Sequence, residues 1–168
     1  TNLTSAQKAA MTFTITGPRG YLKTVHYNEF TNGKYTFSNL VIGNYTVTEK
    51  NADIQGYDLR VDYSVENGNV QVTDGKTSSV KITNDYTLKT TKIEGSKTWS
   101  DSGNQDGTRP SSITVNLLAN GTKKDSKTVT AKDDWKYSFT NLPKYENGKE
   151  ITYTVTEDAV PGYSTKID

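Results

Sequence analysis

Cysteine is absent and histidine occurs once, at His26. Disulfides, thiolate nucleophiles and any site built on two histidines are thereby excluded. A Ser-His-Asp hydrolase would need a nucleophile motif near His26, and none is visible. The loop Asp101-Ser102-Gly103-Asn104-Gln105-Asp106-Gly107 has the composition of a calcium loop. It lacks the later glutamate that would bind the ion bidentately, so it reads as a polar connection. No metal and no cofactor is expected. The carboxylates that attract notice are Glu49 and Glu157, because each closes the same block: Tyr45-Thr46-Val47-Thr48-Glu49 and Tyr153-Thr154-Val155-Thr156-Glu157. Taken singly, each is an ordinary solvated strand-end group. Their recurrence in matched positions is the first reason to ask more of them.

The block belongs to a longer repeat. Lys34-Tyr35-Thr36-Phe37-Ser38-Asn39-Leu40 returns as Lys136-Tyr137-Ser138-Phe139-Thr140-Asn141-Leu142, and Gly56-Tyr57 returns as Gly162-Tyr163. Three blocks in one order define two homologous units, residues 1–87 and 88–168. Each reads as strands. Thr12-Phe13-Thr14-Ile15-Thr16 and Ile113-Thr114-Val115-Asn116-Leu117 alternate with period two. Tyr35/Phe37 and Tyr45/Val47 each place two large side chains on one face. Turn signals at Gly17-Pro18, Asn32-Gly33, Asn67-Gly68, Asp74-Gly75, Asn120-Gly121 and Asn147-Gly148 separate the runs, a pattern expected of β-sandwiches. About two turns of helix are expected over residues 4–10. Trp99 and Trp135 are expected in or near the core of the second unit and not on a sugar platform.

The two units are incomplete in opposite ways. The first continues beyond Gly56-Tyr57 through strands at Val70-Gln71-Val72 and Val80-Lys81-Ile82, whereas only five residues follow Gly162-Tyr163. The second opens with a strand over residues 92–99 that has no counterpart before Thr12. The reading is of a first unit lacking its first strand and a second lacking its last, cut from a tandem array.

Composition agrees. The 168 residues include 20 Lys+Arg and 19 Asp+Glu, a net charge of +1, which argues against a nucleic-acid partner or a polybasic membrane surface. No apolar run approaches the roughly 18 residues of a membrane helix. There are 27 Thr and 11 Tyr, both strand formers, with 32% hydrophobic residues overall, so an all-β protein with thin cores is expected.

At these residues the sequence resembles the B-type repeat domains of Gram-positive collagen adhesins and pilins, the Cna-B family. In the second unit the resemblance runs through Gly95-Ser96-Lys97-Thr98-Trp99, Asn104-Gln105-Asp106-Gly107-Thr108-Arg109-Pro110, Leu117-Leu118-Ala119-Asn120-Gly121, Trp135-Lys136-Tyr137, Asn141-Leu142-Pro143-Lys144-Tyr145 and Tyr153-Thr154-Val155-Thr156-Glu157-Asp158. The first unit is similar to the pilin-type repeat through Ala6-Gln7-Lys8-Ala9-Ala10-Met11-Thr12-Phe13, Gly43-Asn44-Tyr45-Thr46-Val47-Thr48-Glu49 and Ile82-Thr83-Asn84. The resemblance implies two tandem β-sandwiches of inverse immunoglobulin-like topology. It also implies a family stabilised by self-made Lys–Asn isopeptide bonds. Carried over, Lys97 matches the nucleophile, Glu49 and Glu157 the promoting acids, and Asn84 the acceptor. Neither unit then holds the full set, since the first lacks the lysine and the second the asparagine. Lys8 would substitute only if its helical segment reached the core.

The function implied is a stalk or pilus module of a surface adhesin, extracellular and attached to the cell wall through a parent protein. It would be no enzyme beyond one self-directed turnover. Its partners would be neighbouring repeats of the same protein, or another chain by strand donation. The alternative is a binding module that contacts host protein or glycan through loops or exposed aromatics.

Overall fold

The computed structural model describes residues 3–168. The chain splits after Leu88 into two units, and both are β-sandwiches. The first contains α1 (Ser5–Ala10), β1 (Thr12–Gly17), β2 (Tyr21–His26), β3 (Gly43–Lys50), β4 (Tyr57–Tyr63), β5 (Asn69–Val72) and β6 (Ile82–Leu88). Helix α1 is short and starts on a reciprocal cap. Thr4 Oγ1 accepts from the Gln7 amide at 3.2 Å, and Gln7 Oε1 accepts from the Thr4 amide at 2.8 Å.

One sheet has the order β2-β1-β3-β5 and the other pairs β4 with β6, every ladder antiparallel. The period-two alternation sends Phe13 and Ile15 of β1, Val25 of β2 and Tyr45 of β3 inward. Met11, Phe13, Val25 and Ala52 meet Leu59, Ile82 and Tyr86 from the other sheet, which closes the sandwich. Buried Tyr45 donates its hydroxyl to the Val41 carbonyl at 2.8 Å, so its polar end is satisfied.

The second unit contains β7 (Thr90–Ser96), β8 (Ser112–Ala119), β9 (Thr122–Thr130), β10 (Lys136–Pro143), β11 (Tyr145–Glu146), β12 (Lys149–Glu150) and β13 (Tyr153–Glu157). Its sheets are β13-β8-β9 and β10-β7, with β11-β12 a small hairpin. Asn120-Gly121 turns β8 into β9, and Asn147-Gly148 turns β11 into β12, all four residues at positive φ as a type I′ turn demands. Ile113, Val115 and Leu117 of β8, Val129 of β9, Phe139 of β10 and Val160 form the core, with Trp99 and Trp135 packed against it as the sequence implies.

One segment departs from the strand reading. Residues 34–40 form no strand, although their counterparts lie in β10. The difference follows from partners. In β10, Tyr137 and Phe139 stand opposite Gly95 and Ile93 of β7, and the backbone groups are paired. Among the described residues nothing plays the part of β7 beside residues 34–40. The aromatic side chains there still turn inward, with Tyr35 and Phe37 4.8 Å apart against the first core. Apolar burial survives without a ladder, but a regular strand does not.

The same logic holds after Gly162-Tyr163. Its counterpart Tyr57 opens β4, which is laddered to β6, whereas residues 163–168 form no strand. Smaller differences are a β6 that begins at Ile82 and excludes Val80 and Lys81, and a β7 that ends at Ser96, before Lys97 and Trp99.

Candidate functional site: buried lysine, glutamate and asparagine side chains

Lys97 directly follows β7 and is pinned there by its amide, which donates to the Trp135 carbonyl at 2.8 Å. Glu157 is the last residue of β13, opposite Val115 in the middle of the three-stranded sheet. The strand ends bring the two side chains together inside the sandwich. Lys97 Nζ donates to Glu157 Oε1 at 2.8 Å, with only 13% and 8% of the two side chains exposed. The Thr165 hydroxyl donates to the same oxygen at 3.2 Å. Removing two charges from water costs several kcal/mol per ion, and close pairing with further hydrogen bonds offsets that cost. The ammonium also lies 4.8 Å from the centre of the Trp99 ring.

In the first unit, Glu49 occupies the matching place near the end of β3, opposite Phe13. Its partner is Asn84 of β6, whose Nδ2 donates to Glu49 Oε1 at 2.9 Å. The Glu49 amide donates to the Tyr63 hydroxyl at 3.1 Å, which fixes the strand at that point. Burial pushes the Glu49 carboxyl above its ordinary range, and the Asn84 hydrogen bond opposes this. Glu49 Oε2 and Asn84 Oδ1 are buried without a hydrogen-bond partner. Both residues line a groove that Phe37, Val47, Ile82 and Tyr86 also border. Two orphan acceptors side by side make a site suited to a donor such as an amine.

The four residues singled out from sequence thus fall into two pairs, Lys97 with Glu157 and Glu49 with Asn84. In each unit a glutamate meets one other of the singled-out side chains, Lys97 in the second and Asn84 in the first. Lys8 is exposed on α1 and is no part of the core. Among the described residues there is no cluster of three or more metal-ligating side chains, and no helix is long and apolar enough to cross a membrane.

Sequence reasoning passed over a second constellation. Asp101, read as part of a polar connection, accepts from Arg109 Nε at 2.8 Å and Nη2 at 2.5 Å, and from the Tyr163 hydroxyl at 3.0 Å. Arg109 above all holds its carboxyl down at about 2. Asn116 was also passed over. It is buried on β8, where its Nδ2 donates to Asp158 at 2.7 Å. The signal for Asn116 was a polar residue between Val115 and Leu117; Asp101 and Tyr163 are too far apart in sequence for spacing to join them.

Two β-sandwich units in tandem, with Glu49 and Glu157 at matching strand ends, define the class of fold. Residues 93–168 match the model of the Cna protein B-type domain, and residues 2–87 match that of a domain of unknown function (DUF5979). A collagen adhesin of Staphylococcus aureus is 44% identical over 152 residues, covering 87% of this chain and 12% of the adhesin. The crystal structure of two B repeat units of the S. aureus collagen binding protein is 35% identical with a TM-score of 0.59, over 96% of this chain and 43% of that one. The second unit, residues 93–168, belongs to the Cna B-type domain family. The chain spans only about an eighth of the adhesin it matches.

Proposed function

We propose that the chain is a stalk segment of a cell-wall-attached surface adhesin, and that Lys97 and Asn84 are the two ends of isopeptide bonds promoted by Glu157 and Glu49. The observation that carries this reading is the buried Lys97–Glu157 contact at 2.8 Å in a tandem repeat of an adhesin family. The contact sets Nζ where the carboxylate can take up its proton at the moment of reaction. The neutral amine is then a nucleophile. It attacks the carboxamide carbon of an asparagine and a C–N bond forms; the acid protonates the original amide nitrogen, whose bond breaks as ammonia leaves, and the carboxylate so formed takes the extra proton from the new amide nitrogen. In the first unit the Glu49–Asn84 contact supplies the other half, an acid already hydrogen-bonded to the carboxamide.

The product ties two strands of a sandwich and closes a long loop. By analogy with a disulfide it stabilises by a few kcal/mol. It also limits extension under tension, which suits a spacer in a protein without cysteine. Neighbouring repeats are the natural partners. Strand donation from another chain is the intermolecular form of the same reaction, with a lysine-bearing strand seated beside Asn84 or an asparagine-bearing strand beside Lys97.

Intact mass under denaturing conditions tests the chemistry. A peptide of residues 80–88, carrying Asn84, should add to the chain with loss of one ammonia, and Lys97→Met should abolish the adduct. A peptide of residues 90–99, carrying Lys97, should add likewise, and Asn84→Ala should abolish it. Absence of both adducts would overturn the isopeptide assignment and leave the stalk held by packing alone.

A further inference from the structure

Trp99 is boxed by four side chains. Lys97 Nζ lies 4.8 Å and the Arg109 guanidinium carbon 5.4 Å from its ring centre, while Trp135 and Tyr163 meet it edge-on at 5.1 and 5.0 Å. Two of the four are held by one carboxylate: Asp101 binds Arg109 through two nitrogens and Tyr163 through its hydroxyl. Its side chain is only 8% exposed. The loop carrying these groups is further tied by Asn104, whose Oδ1 accepts from the Arg109 amide at 2.9 Å and whose own amide donates to Asp101 Oδ1 at 3.1 Å.

Tyr163 has a second meaning through the repeat. It matches Tyr57, the first residue of β4, and β4 is the strand against which Asn84-bearing β6 is laid. Tyr57 stands opposite Leu88 and Val61 opposite Asn84. Counting the same four residues on from Tyr163 reaches Ile167. Thr165, between them, already bonds to Glu157. One carboxylate therefore fixes the aromatic ring over the lysine and the start of the segment that would set an incoming strand in register.

We propose that Asp101 is a positioning residue for the Lys97 site. Through Arg109 and Tyr163 it keeps Trp99 over the ammonium and holds residues 163–168 so that an acceptor asparagine comes to stand opposite Ile167. The second half of this statement rests on the isopeptide reading; the first does not. Asp101 touches no reacting atom and acts through the groups it holds.

The test uses the 168-residue chain with Asp101→Asn and Tyr163→Phe. Acylation by an acetyl N-hydroxysuccinimide ester is followed at each lysine by peptide mass spectrometry. With the clasp opened, Lys97 should acylate about fivefold faster, the loss of one cation–π contact and its cover. Exposed Lys136 should be unchanged. Adduct formation with the 80–88 peptide should move the opposite way and slow by about fivefold, since register is lost. A purely structural Asp101 would shift the melting temperature and leave both rates alone below it. Unchanged Lys97 acylation in folded variants overturns the proposal, and Tyr163→Phe keeps it testable should Asp101→Asn not fold. Unaltered adduct rates beside faster acylation refute the register role alone. A wild-type chain that gives no adduct, with the acylation shift intact, counts against the isopeptide reading and not against the clasp.

Discussion

The two units present one glutamate in two electrostatic settings. Glu49 and Glu157 end the same Tyr-Thr-Val-Thr-Glu block and turn into the same kind of sandwich. Glu157 meets an ammonium and Glu49 a carboxamide. A carboxylate facing Lys97 has its charge matched. One facing Asn84 receives a single N–H, keeps Oε2 unpaired, and has its carboxyl raised by burial. The strand and its register are shared, so the difference lies in the partner each carboxylate meets.

The largest effect should come from breaking the charged pair. Glu157→Gln leaves the Lys97 ammonium buried with no counter-ion and should destabilise the second unit by about 3 kcal/mol. Lys97→Met together with Glu157→Leu removes both charges and should restore most of that loss. Urea unfolding followed by Trp fluorescence reads the second unit, because both tryptophans, Trp99 and Trp135, lie in it. A double variant no better than the single one would mean that geometry, not charge, is what Glu157 supplies.

Close glycine–aromatic contacts sharpen the comparison. A Cβ on Gly17 would lie 2.2 Å from the Tyr45 ring, which is fully buried and held through its hydroxyl. Gly17→Ala should therefore cost the first unit about 2 kcal/mol through overpacking. On Gly95 the nearest atom is the Tyr137 hydroxyl at 2.4 Å, the far end of a partly buried side chain that can swing aside. Gly95→Ala should cost the second unit roughly half as much. Equal losses by denaturant titration would show that the two rings are equally confined.

Much of this was legible in the sequence. The alternation at Thr12-Phe13-Thr14-Ile15-Thr16 became β1, Asn120-Gly121 and Asn147-Gly148 became hairpin turns, and the repeated block put both glutamates at matching strand ends. What misled was reading residues 34–40 as a strand from Tyr35 and Phe37 lying on one face. A sequence repeat carries over side-chain preference, but a strand also needs a neighbour to pair its backbone. The Asp101 clasp was illegible for a different reason. Asp101 and Tyr163 are 62 residues apart, and an aspartate in a Gly/Asn-containing loop has the composition of any turn.

Acid should separate the units in opposite directions. Asp101 is held at about 2 against 3.8 for the free group, so the folded state favours its charged form. Its contribution is complete above 3.8 and is lost as pH falls through 2. Asp101→Asn should lower the stability of the second unit at neutral pH, and the gap to wild type should close on acidification toward pH 2. A gap that stays constant over that range would show that the carboxylate charge contributes nothing.

Glu49 has the reverse sign and the smallest expected effect. Its folded value lies above the reference 4.5, so the fold favours the protonated acid. That favourable term is complete below 4.5 and disappears as pH rises through the folded value, where the ionised carboxylate must be accommodated beside Asn84. Gln keeps the shape of the neutral acid and can still accept from Asn84 Nδ2. Glu49→Gln should therefore make the first unit slightly more stable at pH 7, with the advantage shrinking as pH falls toward 4.5. Hydrogen exchange at the β3 and β6 amides reads that unit without interference from the second. A first unit weakened at pH 7 by the same substitution would mean that Glu49 is held charged by a cation, and the contrast with Glu157 would collapse.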